Sequence, residues 1–240
     1  MSRSRKAVIV LARRHPIGAH PAHPPRLLLR SLSPMSIADD ALERLAPRPY
    51  EELRPQIRTG DLFLCSGRDA FSRLIRAATR SPWSHVALAL RLDEIDRVMA
   101  LESVARLGVR IVPLSSFVSA SSSGRKPYPG RILLARHARF AALADPARVK
   151  RMADFAVDRF GAPFAAAEVV KIALRVALAR LELRMPPLLA PTDEFICSEY
   201  VARCYEVAGV AIPWDGRGFI APSDFAADPG LCALAQVQTR

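Results

Sequence analysis

Cys197 stands in Asp193-Glu-Phe-Ile-Cys197-Ser-Glu-Tyr200, where a polar run gives way to apolar positions at helical spacing. Val201, Cys204, Tyr205 and Ala208 continue one face of that helix, and Gly209 offers its C-cap. A thiol at a helix start lies beside unpaired backbone N–H groups that carry partial positive charge, which favours thiolate, the nucleophilic form. The plainer reading of the same residue is a small buried hydrophobe, because free cysteine is among the most buried residue types. His85 stands in Ser81-Pro-Trp-Ser-His85-Val-Ala-Leu-Ala-Leu90, at the first residue of an apolar strand that follows a turn-prone tetrapeptide. A lone histidine at a strand start is commonly structural; as a base it needs a group that orients it. Glu102 closes the next strand, Arg97-Val-Met-Ala-Leu-Glu102-Ser103, and antiparallel neighbours would bring it beside His85. An acid there holds the imidazole in the tautomer whose free nitrogen accepts a thiol proton. Taken alone, Glu102 is a solvated strand end.

The Gly60-Asp61 turn before an apolar strand, then Ser84-His85-Val86, then a strand ending Glu102-Ser103, and finally Cys197-Ser-Glu before an amphipathic helix form an ordered set. Together they resemble the YaeF/YiiX-like permuted papain-type amidases, relatives of NlpC-type cell-wall peptidases and of lecithin:retinol acyltransferase-like proteins. The resemblance covers about residues 58 to 226. It implies a papain-like core cut open and rejoined, so that histidine precedes cysteine in the chain, as it does here. It further implies Cys197 as nucleophile, His85 as base and Glu102 as orienter.

The elements that must position these residues are readable as periodicities. Asp61–Cys65 reads as a strand, and 69–79 as a helix with Asp69 as N-cap and Phe71, Leu74, Ile75 and Ala78 on one apolar face. After the His85 and Glu102 strands come strands over Gly108–Val112 and Arg131–Ala135, separated by a Ser/Gly/Pro-rich loop over 119–130. Asp145 and Pro146 open a helix that turns Val149, Met152, Phe155, Ala156 and Phe160 inward and ends at Gly161. Strands and helices occupy separate blocks of sequence, which argues for α+β, an antiparallel sheet packed against helices, rather than a doubly wound sheet.

With 240 residues the chain is long enough for one substantial core and short for two full domains. The net charge of +12 is uneven: residues 1–34 hold seven basic residues and no acid, with five prolines, and read as a disordered segment. The composition changes at Met35, an alternative start, and a chain beginning there is expected to fold and turn over normally. Residues 35–57 read as an N-terminal helical extension and 58–240 as the hydrolase domain, with a helical insertion at about 164–190. The core lacks an aromatic-plus-basic stripe or a reader motif, so no nucleic-acid partner is expected, the alternative being an accessory role through the basic segment alone. No apolar run reaches eighteen residues, so no transmembrane segment is expected; the Ala/Val/Leu/Ile-rich 164–184 helix reads first as core packing, with a cover over the site or an interfacial helix touching lipid as the sharper alternatives. The six-residue apolar stretch Ala7–Ala12 is too short for an export signal, which points to the cytoplasm. Cys65, Cys197, Cys204 and Cys232 are scattered and form no disulfide framework, in keeping with a reducing compartment. A zinc site from Cys197, Cys204 and a histidine has the wrong spacing, and His15, His20 and His23 lie in the basic segment, so neither a metal nor a cofactor is expected.

These readings converge on a cysteine hydrolase, amidase- or peptidase-like, cleaving an amide or ester through an acyl-enzyme. Its substrate would be a peptide, amide or acyl compound, and by family likeness one related to cell-wall fragments. Two alternatives stand beside it: lipid or thioester acyl transfer by the same triad, and a binding module whose triad is vestigial.

Overall fold

The apolar runs that follow the Gly60-Asp61 turn become a sheet. In the computed structural model, described over residues 37, 40–105, 107–119, 126–164, 196–214 and 220–239, the elements follow in this order. They are α1 (Ala41–Arg44), β1 (Pro47–Arg48), α2 (Tyr50–Leu53), β2 (Leu62–Gly67), α3 (Ala70–Thr79), β3 (His85–Leu92), β4 (Arg97–Val104) and β5 (Gly108–Pro113). Then come α4 (Leu114–Val118), β6 (Gly130–His137), α5 (Ala138–Leu143), α6 (Pro146–Asp158), α7 (Cys197–Val207), α8 (Pro222–Ala227) and β7 (Leu231–Val237). The seven strands lie in the order β1-β7-β6-β2-β3-β4-β5. Every pairing is antiparallel except β1 with β7, which is parallel. The fold is therefore α+β.

Strand alternation sorts the interior into two layers. Leu62, Leu64, Val86, Leu88, Leu101 and Leu133 pack with Met152 and Ala156 of α6 and Tyr200, Val201, Cys204 and Tyr205 of α7. The intervening positions, Phe63, Cys65, Ala87, Ala89, Val98, Ala100 and Leu134, pack with Tyr50, Leu53, Leu114 and Phe117. The α7 face expected from spacing is buried throughout, with Val201, Cys204, Tyr205 and Ala208 all at 0% exposure. Gly209, at φ +83°, ends the helix as a residue without Cβ can.

The Gly60-Asp61 turn is a joint between sheet and helices. Gly60 has φ +90°, and a Cβ there would lie 2.1 Å from the Phe140 ring, so no other residue fits without displacing that side chain. The Tyr205 hydroxyl of α7 donates to the Gly60 carbonyl. Asp61 accepts Arg136 Nε and Nη2, each at 2.7 Å, and the Arg58 N–H at 2.8 Å. The helix carrying Cys197 is thus tied to the strand pair that carries His85.

Several elements depart from expectation. Asp69 caps α3 through the Ser72 N–H at 2.9 Å as read, yet Phe71 is 36% and Leu74 48% exposed, so the apolar face of that helix points outward. Among the described residues, 35–57 contain the short helices α1 and α2, a 3-10 turn at Arg54–Gln56 and the strand β1, which extends the sheet through β7. Residues 120–125 of the expected loop, residues 1–36 and residues 165–190 of the 164–190 insertion lie outside the described residues. Among the described residues no helix is long and apolar enough to cross a membrane.

Candidate active site

Ser84 fixes where β3 begins. Its N–H donates to the Cys65 carbonyl at 2.9 Å and its hydroxyl accepts the Gly67 N–H at 2.9 Å, tying the turn to β2 and leaving His85 as the first strand residue. From the pair Leu88 with Leu101, three residues back along β3 is His85 and one residue onward along β4 is Glu102, which makes the two diagonal neighbours on one face. His85 Nε2 and Glu102 Oε2 are 2.6 Å apart, and Glu102 is 1% exposed. Glu102 is thus a buried acceptor, not a solvated strand end.

Burial on this scale needs a second partner. Arg110, directly opposite Glu102 in the β4–β5 register, donates Nε at 2.9 Å and Nη2 at 2.6 Å to Oε1. Each carboxylate oxygen then has its own partner, imidazole on one side and guanidinium on the other. Burial alone would raise the Glu102 pKa; the hydrogen bond and charge of His85, and then Arg110, outweigh it and hold the carboxyl below its ordinary value. Arg110 was missed in the sequence, where its signal was an opposite charge across a tight hairpin from Glu102.

Cys197 is the first residue of α7, whose N-cap Ile196 supplies no side-chain cap, so the first N–H groups of the helix are left to serve the thiol. His85 and the backbone N–H groups of Val86 and Ser198 stand close enough to its sulfur to act on its ionisation. With Nε2 engaged by Glu102, Nδ1 is the ring nitrogen left for the sulfur. Burial would push this thiol up, and the His85 charge and hydrogen bond, with the two N–H groups, bring it below its ordinary value instead. Burial likewise disfavours the charged imidazole, but Cys197 and then Glu102 raise His85 to about 10. Both shifts run toward a thiolate facing an imidazolium.

Two other thiols are just as buried and behave oppositely. Desolvation drives Cys65 well above the ordinary value, with Glu102 and Cys197 adding to it, and Cys204 rises for the same first reason. Cys204 lies two helical turns from Cys197, bonded to Tyr200, so the two do not converge as zinc ligands. A second buried histidine, His137, is occupied structurally: Nδ1 accepts the Phe140 N–H at 3.2 Å, leaving Nε2 to donate to Asp228 at 3.1 Å.

The three residues open into a cavity of about 220 Å³. Its wall is mostly apolar, including Phe71, Ile75, Phe117, Phe164 and Ile196, with Asp69 and Arg110 among its few charged groups. Tyr128 stacks nearly parallel on His85 at 6.2 Å between ring centroids, backed by Phe117 at 5.2 Å. Ser72 and Ser84 line the same cavity and act on the Tyr128 hydroxyl.

No protein-family model and no curated protein matches this chain in sequence. Among solved structures the chain is similar to the crystal structure of metalloprotein yiiX from Escherichia coli O157:H7, with a TM-score of 0.54 and 17% identity. The match covers 76% of this chain and 99% of that one, and identity this low speaks for the fold alone. The chain thus shares its fold with yiiX, in line with the YiiX-like resemblance of its motifs.

Proposed function

We propose that the protein is a cysteine-dependent hydrolase of amides or esters, with Cys197 as nucleophile, His85 as acid and base, and Glu102 as orienter. One observation carries the reading: of three buried thiols, only Cys197 is shifted toward thiolate, and it is the one beside His85. The thiolate adds to the substrate carbonyl and forms a C–S bond. The Cys197 N–H at the helix start is placed to receive charge developing on the oxygen. His85 gives its proton to the leaving nitrogen or oxygen as that bond breaks, and the neutral imidazole then takes a proton from water, whose oxygen displaces the thiolate. By likeness of fold and motif, the substrate is a peptide or amide related to cell-wall fragments.

Acyl transfer with the same residues is the second reading, favoured by the apolar lining of the cavity, which suits an aliphatic acyl group. A metal-dependent reaction, suggested by the description of yiiX as a metalloprotein, finds no support: among the described residues no three His, Cys, Asp or Glu side chains converge as a donor set.

An electrophilic probe that reports activated thiolates tests the proposal. It should label the wild type and not Cys197→Ala, whereas equal labelling of both would leave a binding module. Screening aminoacyl amides, murein peptides and acyl esters against the unlabelled wild type, with and without an amine or alcohol acceptor, then separates hydrolysis from transfer.

Arg110 acts through Glu102 and is a positioning residue. In Arg110→Gln the carboxyl loses one of the influences holding it low while its burial persists, so the acid limb of the pH–rate profile should move to higher pH. Turnover at neutral pH should fall several-fold, and Arg110→Lys, which keeps the charge but not the fork, should recover only part of it. An unmoved acid limb would reduce Arg110 to a surface residue.

A further inference from the structure

Helix α3 rests on the protein by its polar side. Ser72 is its one buried residue, its hydroxyl donating to Asp69 at 2.6 Å, and Arg76 reaches Ser66 of β2 at 3.4 Å. At 100° per residue, Ala70, Leu74, Ala78 and Phe71 fall in one sector, and the contacts turn that sector outward. Phe71 and Leu74 are 36% and 48% exposed. Apolar side chains grouped this way on a surface mark a binding face more often than singly scattered ones do. The sector also runs into the candidate active site, because Phe71 and the half-buried Ile75 line the cavity that holds Cys197.

Charge says what covers it. Arg73 lies in the exposed sector bordering the apolar one, and Arg68 and Arg80 are exposed just before and just after the helix. None of the three forms an ion pair among the described residues, and α3 contains no acid. Asp69, the nearest carboxylate in sequence, is bonded to the Ser72 N–H and hydroxyl. A second copy of the chain fits this face poorly, because a two-fold contact through α3 would set Arg73 and Arg80 against their own mates over an apolar area of two large side chains. A surface of anionic headgroups over acyl chains fits both features, taking the apolar sector into the headgroup boundary and the guanidiniums at the phosphates.

We propose that α3 is an interfacial helix through which the protein docks on an anionic lipid surface, with the mouth of the Cys197 cavity turned toward it. Docking does not depend on the chemistry assigned to Cys197, so the two stand or fall separately. The test is co-sedimentation of the full chain with vesicles of phosphatidylcholine and phosphatidylglycerol, and with phosphatidylcholine alone, at low and high salt. Binding to the anionic vesicles that weakens as salt is added is expected, since the screening length shortens. Phe71→Ser/Leu74→Ser should bind about tenfold or more weakly at unchanged melting temperature, because both side chains are exposed in the free protein. Arg73→Gln/Arg80→Gln should lose the preference for the anionic vesicles, and Cys197→Ala should bind as the wild type does. Undiminished binding by the Phe71/Leu74 variant would place the lipid contact elsewhere, such as the basic residues 1–34, and overturn the proposal. Failure of the wild type to sediment would do the same, and so would an apolar-face variant that only converts a dimer to a monomer.

Discussion

A His85→Ala variant should lose about three orders of magnitude or more of turnover, because it removes at once the proposed proton donor for the leaving group and the charge that lowers the Cys197 pKa. The second loss is separately visible. Without the imidazolium, burial acts on the thiol with only the Val86 and Ser198 N–H groups opposing it, so its pKa should move from below the ordinary 9.0 to above it. The pH midpoint for alkylation of Cys197 should shift upward by the same step. Glu102 keeps Arg110 as a partner in the variant, so the fold should survive. A variant that unfolds at room temperature would make His85 a structural residue, and one that keeps its turnover would remove it from the mechanism.

Glu102→Gln should lower turnover about a hundredfold or more, by comparison with orienting acids in nucleophile–base–acid sets. The change keeps size and some hydrogen bonding, and takes away the charge that faces the imidazolium. His85, held at about 10 by Cys197 and Glu102 against the effect of burial, should therefore titrate at lower pH. Activity that needs a protonated His85 persists in the wild type up to its folded pKa, so the alkaline limb should move down in the variant. Stability has the matching sign. Glu102, depressed in the folded state, stabilises the protein above its ordinary 4.5, an effect lost as pH falls through the lower folded value, so the variant should lose relative stability above pH 4.5 and little below it. Unchanged turnover with an unmoved alkaline limb would send the search for an orienter elsewhere.

The parts of this site that could be read from the sequence are those carried by local periodicity. The β3 and β4 runs are apolar with clear turn signals between them, so the position of His85 at a strand start and of Glu102 near a strand end followed from the chain itself. The α7 face was legible for the same reason, since Val201, Cys204, Tyr205 and Ala208 repeat at helical spacing. What depended on packing was not legible. Glu102 is buried rather than solvated because Arg110 stands opposite it, and cross-strand register depends on a hairpin whose turn gave no strong signal. The outward face of α3 illustrates the same limit: spacing shows that a helix has two faces, and the polar anchors Asp69, Ser72 and Ser66 decide which is turned inward. The strand β7 and helix α8, with the His137–Asp228 pair between them and the sheet, rest on contacts ninety residues apart in sequence and had no local mark.

Under the proposed chemistry, one thiol of four is activated by its surroundings. Cys197, Cys65 and Cys204 are buried, and Cys232 is exposed as an internal control. Alkylation of the folded protein, followed at each cysteine by mass spectrometry across a pH series, measures the claim directly. Cys197 should react fastest despite being 8% exposed, its rate should have a midpoint below that of an ordinary thiol, and Cys65 and Cys204 should stay unmodified until the protein unfolds. Similar rates at Cys197 and Cys232 with the midpoint of an ordinary thiol, or a Cys197 as inert as its buried neighbours, would contradict it.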